Sequence, residues 1–236
     1  MTAAGNGWTV CQVGWGGEMA RPYKGYEIDG EKVPGVTTIL SRFKESGALL
    51  YRAWDQGRQG KDFRDTKQAA ADAGTLAHDM VEHDIYGQAF DLTGYDEATI
   101  KKAQGAYRAY QAWKQQTNLT IAEAEVPLVS KIHRFGGTLD AILVQGQLAL
   151  GDWKTSNRIH SDYVLQLAAY QILWEENFCE RPIGGGFHLL RFSKAQDDSD
   201  SVSFSHHYWS RLDVAKEQFL LLLEAYKLDK RVKALV

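Results

Sequence analysis

The chain has 236 residues, 44% of them hydrophobic and 24% charged, the balance of an ordinary globular protein with a sizeable core. Its formal net charge of −3 gives no overall basic signal for nucleic acid, although binding needs a local positive groove and not a positive total. Cys11 and Cys179 are the only cysteines and lie far apart, which argues against a disulfide scaffold, a thiolate zinc site and a four-cysteine iron–sulfur cluster.

The opening residues, MTAAGNGWTV, lack a charged region followed by an apolar run, and no stretch reaches bilayer-spanning length. A soluble cytoplasmic protein is therefore expected. With no internal repeat, no low-complexity linker and only four prolines, a single domain over 1–236 is expected. From Trp8 to about Val36 the chain is rich in glycine and aromatic residues, and YEIDGEKVPG reads as two short strands around Asp29-Gly30. Apolar residues at helical spacing predict helices from Val36 to about Gly57, from about Asp65 to Gly87, and from Asp96 to about Gln116.

Past Asn118 the pattern changes to strands: IAEAEVPLV, then RFGGTLDAILV after a short basic turn, then QLALGDWKTS. Ser161 is placed to cap a helix through SDYVLQLAAYQILWEEN. Two more strands, in GGGFHLLRFSK and SVSFSHHYW, flank the acidic loop AQDDSDS, and an amphipathic helix covers about Arg211 to Arg231. The result is an α/β (α+β) fold: a helical N-terminal half to about residue 118, then a mixed sheet with flanking helices over about 119–236.

The stretch GTLDAILVQGQLALGDWKTS carries three charges in an apolar setting. With Gln145-Gly146-Gln147 as the loop, Val144 faces Leu148, Ile142 faces Leu150 and Asp140 faces Asp152. Lys154 then falls on the same side, two residues beyond Asp152, and Trp153 goes to the opposite face. Adjacent carboxylates repel, so a cation is called for. Lys154 could supply it as a salt bridge at the sheet end, or a divalent ion could satisfy both carboxylates and leave the lysine free to touch a water.

Gly137-x-x-Asp140, Asp152-x-Lys154 and Gln166-x-x-x-Tyr170 together resemble the PD-(D/E)XK nuclease superfamily, in particular its RecB-like, phage-type exonuclease branch. Gly74-Thr-x-x-His78 with Glu82 is similar to that branch's histidine motif, and Glu125 to the acidic residue on the strand before the first aspartate. Tyr26-x-Ile-Asp-Gly with Val36-Thr-Thr-Ile-Leu resembles the front end of related phage nucleases, so the likeness runs over most of residues 25–194. Iron–sulfur relatives carry four cysteines that this chain lacks, and helicase motifs are not found.

The resemblance implies a metal-dependent DNA exonuclease working with one or two Mg²⁺ or Mn²⁺ ions. Asp140, Asp152, His78 and the backbone carbonyl of Trp153 would be metal ligands. Lys154 would orient or deprotonate the attacking water, and Glu125 would hold a second metal or its water. Gln166 and Tyr170, one helical turn apart, would touch the scissile strand. Independently of the resemblance, Thr155 and Ser156, just past the lysine, could donate to a phosphate or merely cap the strand, and Arg191 is a candidate backbone contact. Glu82 would support the histidine.

Lys44, Arg52, Arg58, Lys61, Arg64 and Lys67, interleaved with Tyr51 and Trp54, would suit single-stranded DNA, whose bases are open to stacking, and Lys194 would add a backbone contact. His206 and His207 are neighbours on a strand, point to opposite faces, and are read as structural. The alternatives are a flap or duplex endonuclease of the same fold, and a nucleic-acid-binding module without catalysis.

Overall fold

The computed structural model of the chain describes residues 25–44, 47–156, 158–193 and 203–236. Cys11, the Trp8 end of the N-terminal segment, Lys194 and the acidic loop at 197–200 lie outside them. Elements follow in the order β1 (Tyr26–Ile28), β2 (Glu31–Val33), α1 (Val36–Arg42), α2 (Gly47–Arg58), α3 (Phe63–Ile85) and α4 (Glu97–Gln116). Next come β3 (Thr120–Ser130), β4 (Phe135–Gln145), β5 (Gln147–Lys154), α5 (Ser161–Asn177), β6 (Phe187–Phe192), β7 (Phe204–Trp209) and α6 (Asp213–Lys233). Strands β3 to β7 form one mixed sheet in sequence order, antiparallel except for the parallel β5–β6 pair joined through α5.

The expected fold class therefore forms, with helices on both faces of the sheet. On one face Phe135, Leu139, Ile142, Leu150 and Leu189 pack against α5 and α6; on the other Ala141, Leu143, Ala149, Trp153 and Leu190 pack against α3 and α4. Helix α5 is apolar nearly all round because it lies between the sheet and α6.

Two expectations shift. Val36 to Gly57 is not one helix: α1 ends in a cap at Phe43 and α2 starts afresh at Gly47. The two pieces pack on different partners, which a straight rod could not reach. Arg42 at the end of α1 makes bonds of 3.0 and 2.9 Å to Asp229 of α6, whereas Gln56 of α2 accepts from Thr66 of α3. Ser161 is the first residue of α5 and His160 its cap, whose side chain makes no capping bond.

The β1–β2 hairpin is fastened to the sheet through Tyr26, whose ring lies across the bare backbone of Gly136. A Cβ at Gly136 would meet the ring at 2.2 Å, and the Tyr26 hydroxyl bonds Thr138 Oγ1 at 3.0 Å. Gly136→Ala should therefore destabilise the protein by about 1–3 kcal/mol in urea unfolding, and Tyr26→Ala in the same chain should recover part of the loss. An unchanged Gly136→Ala midpoint would refute this packing.

Candidate active site

The hairpin register places the charges. Strands β4 and β5 pair as Gln145↔Gln147, Val144↔Leu148, Ile142↔Leu150 and Ala141↔Gly151, around Gly146 at φ +75°. The ladder ends there, one residue short of Asp140 and Asp152. Beyond its last pair the Trp153 N–H donates to Asp140 Oδ2 at 3.1 Å, inside the protein. Lys154 Nζ lies 2.6 Å from Asp152 Oδ2 and 3.8 Å from Asp140 Oδ2.

Asp152 is fully buried and Asp140 nearly so. Burial and the charge of Asp140 push the Asp152 carboxyl well above the ordinary carboxylate range, against the pull of Lys154. Burial also works against the Lys154 ammonium, but Asp152 and Asp140 outweigh it and hold its pKa above the usual value.

Two further groups reach the same point. His78, on α3, brings Nδ1 to 3.9 Å from Glu125 Oε1 of β3, and ligand atoms of His78, Glu125 and Asp140 all lie within 4.8 Å of one another. Glu125 has φ +51°, a left-handed backbone inside a strand and a strained one for this residue type. Burial raises its pKa, only partly relieved by His78. For His78 burial is overcome by Glu125 and Asp140, and its pKa rises. Helix α3 is pinned to α4 by Asp84, which accepts from Tyr107 and Tyr110 at 3.0 Å each and from Lys114 at 2.6 Å.

Of this group His78 and Glu125 line a cavity of about 480 Å³, together with Ala70, Gly74, Thr75, Asp79, Glu82 and Thr155. Three carboxylates face one ammonium and one imidazole, and Asp152 Oδ2 is buried without a hydrogen bond despite its close ion pair. Such a donor set, oxygen-rich with one imidazole, fits a divalent cation.

The remaining predicted residues divide. Gln166 donates to the Tyr170 hydroxyl at 2.5 Å, and the Tyr170 ring lies against Gly137, where a Cβ would meet it at 2.8 Å. Burial, then Asp140 and Asp152, drives the Tyr170 pKa well above that of a free phenol. Gly137, Asp140 and Tyr170 thus form one packed unit. Thr155 lines the cavity, but the Ser156 hydroxyl donates to the Arg158 carbonyl at 2.8 Å and closes its own turn. Arg191 stands beside Lys154 in the β5–β6 ladder and bonds Ser205 Oγ at 3.2 Å.

Sequence reasoning missed Tyr163, whose ring lies 5.4 Å from Lys154 Nζ. Its position three residues before Gln166 on the same helical face was the available signal. His206 bonds His188 at 2.7 Å, and His207 bonds Ser205 Oγ at 3.2 Å, away from the carboxylates.

Helix α2 turns its aromatic side outward. Tyr51 and Trp54 are exposed with centroids 5.7 Å apart, and the Arg58 guanidinium lies 4.8 Å from the Trp54 ring. Lys44 is committed to Asp162 at 3.3 Å. Among the described residues Arg52, Arg58, Lys61, Arg64 and Lys67 have no carboxylate partner.

The sequence profile of the PD-(D/E)XK nuclease superfamily matches residues 48–231. Comparison with curated protein sequences gives no match. Among solved structures, a candidate exonuclease from Eubacterium rectale is similar at 15% identity and a TM-score of 0.43, over 65% of this chain and 64% of that one. The chain thus spans under two thirds of that protein. An alkaline exonuclease (LHK-Exo) from Laribacter hongkongensis matches at 14% identity and a TM-score of 0.35, over 70% of this chain and 93% of its own. Its complex with dAMP matches at 16% and 0.33, over 71% and 97%.

Proposed function

The chain belongs to the PD-(D/E)XK nuclease superfamily, and from that premise we propose a single-domain, metal-dependent DNA exonuclease of the RecB-like, phage type, removing nucleotides from free ends with a preference for single strands. The observation that carries this reading is the buried pair Asp140 and Asp152 with Lys154 between them, joined by His78 and Glu125 at the mouth of a cavity. A pure binding module has no use for three carboxylates where phosphate must come. No described helix is long and apolar enough to cross a membrane, and this reading takes the enzyme to act inside the cell.

His78, Glu125, Asp140 and Asp152 would hold Mg²⁺ or Mn²⁺, with the Trp153 carbonyl as a further ligand. A divalent ion bound there supplies Lewis acidity toward the phosphate and a water of lowered pKa. Lys154 orients the attacking water and offsets charge on the non-bridging oxygens, and its ion pair with Asp152 fixes the ammonium for that task. Tyr163 limits the directions open to that ammonium. Tyr170, locked by Gln166 and Gly137, keeps the Asp140 segment in place, and Thr155 is positioned to donate to a phosphate oxygen.

The outward rings of α2 and its unpaired cations support contact with exposed bases and their phosphates. Trp54→Ala should weaken binding of single-stranded DNA by about 1–3 kcal/mol, measured by anisotropy in EDTA, and spare most duplex affinity. Equal loss on both substrates would remove the preference for single strands.

The deciding experiment is cleavage of end-labelled linear and closed circular DNA, single- and double-stranded, with Mg²⁺, Mn²⁺ or EDTA. Mononucleotide release from linear strands that stops in EDTA is expected. Cutting of closed circles would make the protein an endonuclease, and inertness on every substrate would leave a binding module.

A further inference from the structure

Helix α6 carries two apolar stripes where one is needed. The inner stripe is Phe219 and Leu223, fully buried against α5 and the sheet, with the Phe219 ring centroid 5.1 Å from that of Phe135. The outer stripe is Val214, Leu221 and Leu228, seven residues apart, with Val232 completing it; they are 80%, 66%, 53% and 62% exposed. Ala225 lies in the same line, one turn from both Leu221 and Leu228. A seven-residue repeat of aliphatic side chains on one side of a helix is the pattern that packs against another helix.

Charge along the outer face chooses the occupant. Beside the stripe, on one flank, stand Glu217, Glu224 and Arg231, again seven apart. Glu224 is neutralised by Lys227 at 2.6 Å, whereas Glu217 and Arg231 have no charged partner among the described residues. Most other charges of α6 are spent within the chain: Asp213 on Arg211, Lys216 on Glu175, and Asp229 on Arg42 and Lys233. A helix with a free glutamate toward its start and a free arginine toward its end, on the same flank of one apolar seam, is complementary to itself when reversed.

We propose that the outer face of α6 is the interface of a two-fold dimer in which the helices of two copies run antiparallel. Leu221 of each copy comes against Leu228 of the other near the axis, and Glu217 of each stands beside the second copy's Arg231. In a parallel two-fold pairing this flank of each helix would lie on opposite sides of the seam, so Glu217 could not reach the second copy's Arg231; the charge pair forms only when the helices run antiparallel. The seam is isologous, as a closed dimer requires. The interface uses none of Glu125, Asp140, Asp152, Lys154 or α2, so it stands independently of the proposed chemistry.

Sedimentation equilibrium of the full chain over a concentration series tests this. A monomer–dimer equilibrium is expected, with Leu221→Glu/Leu228→Glu monomeric at every concentration and unchanged in circular dichroism, since both positions are on the surface. Glu217→Arg should weaken the dimer roughly tenfold, and Glu217→Arg/Arg231→Glu should restore it. A wild-type chain monomeric throughout, whether its seam is covered by another part of the same chain or by a different protein, overturns the proposal. So does an oligomer that the double glutamate leaves intact, or a charge reversal that fails to rescue.

Discussion

Lys154→Met should lower the rate of phosphodiester cleavage by about 10²–10⁴-fold while leaving DNA affinity in EDTA nearly unchanged. The methionine keeps most of the side chain's volume and removes only the ammonium, so the loss reports charge. It also leaves Asp140 and Asp152 facing each other with no cation between them, since both ion pairs, at 3.8 and 2.6 Å, come from the same Nζ. The metal-free variant should be less stable than the wild type, and increasingly so as pH rises and both carboxylates are driven to ionise without their ammonium. Added Mg²⁺ or Mn²⁺ should then raise its melting temperature more than that of the wild type, because the ion takes over the lysine's charge. Full activity in Lys154→Met would end the assignment of Lys154 to the chemistry, and an equal metal response in both proteins would separate the lysine from the metal site.

Asp152→Asn should pull activity and stability apart. The amide cannot supply a charged ligand, so cleavage should fall by at least about 10²-fold. In EDTA, however, the variant should be more stable than the wild type near neutral pH. The sign follows from the direction of the shift: the folded Asp152 carboxyl has its pKa raised by burial and by Asp140, so the native state binds the proton more tightly than the unfolded chain. Stability from this group is therefore fully present at low pH and is lost as pH rises from the ordinary carboxylate pKa of about 4 toward the raised folded value. Asparagine removes that loss. Urea midpoints of both proteins in EDTA at pH 5 to 8 check it: the gap should widen as pH rises, and a constant or reversed gap would contradict the buried-pair electrostatics.

The hairpin was legible because it is over-determined. Apolar residues on both faces leave few registers, and only one of them puts Asp140 and Asp152 side by side. The succession of strands and the bounds of most helices followed from periodicity in the same way, to within a few residues. The break between α1 and α2 was not legible, because both pieces have helical spacing and only their separate partners divide them. The left-handed turn at Glu125 left no trace either: a glutamate in a strand pattern gives no sign of φ +51°. The position of Lys154 over Tyr163 depends on how α5 meets the end of β5, which residue spacing alone does not encode. The outer stripe of α6 was readable as amphipathicity, but one helical pattern does not say which of two apolar faces meets the core.

The clamp of Tyr26 on Gly136 has a consequence for biosynthesis. Its hydroxyl partner, Thr138, is 112 residues downstream. At roughly 5–20 residues per second, a nascent chain waits about 6–22 s between making the two, and β1 has no seat on the sheet during that time. Asp152, Lys154 and Tyr170, which packs beneath Gly137, come later still. On the proposed reading, the residues assigned to cleavage therefore come together only when translation is well advanced, so a half-made chain would lack them.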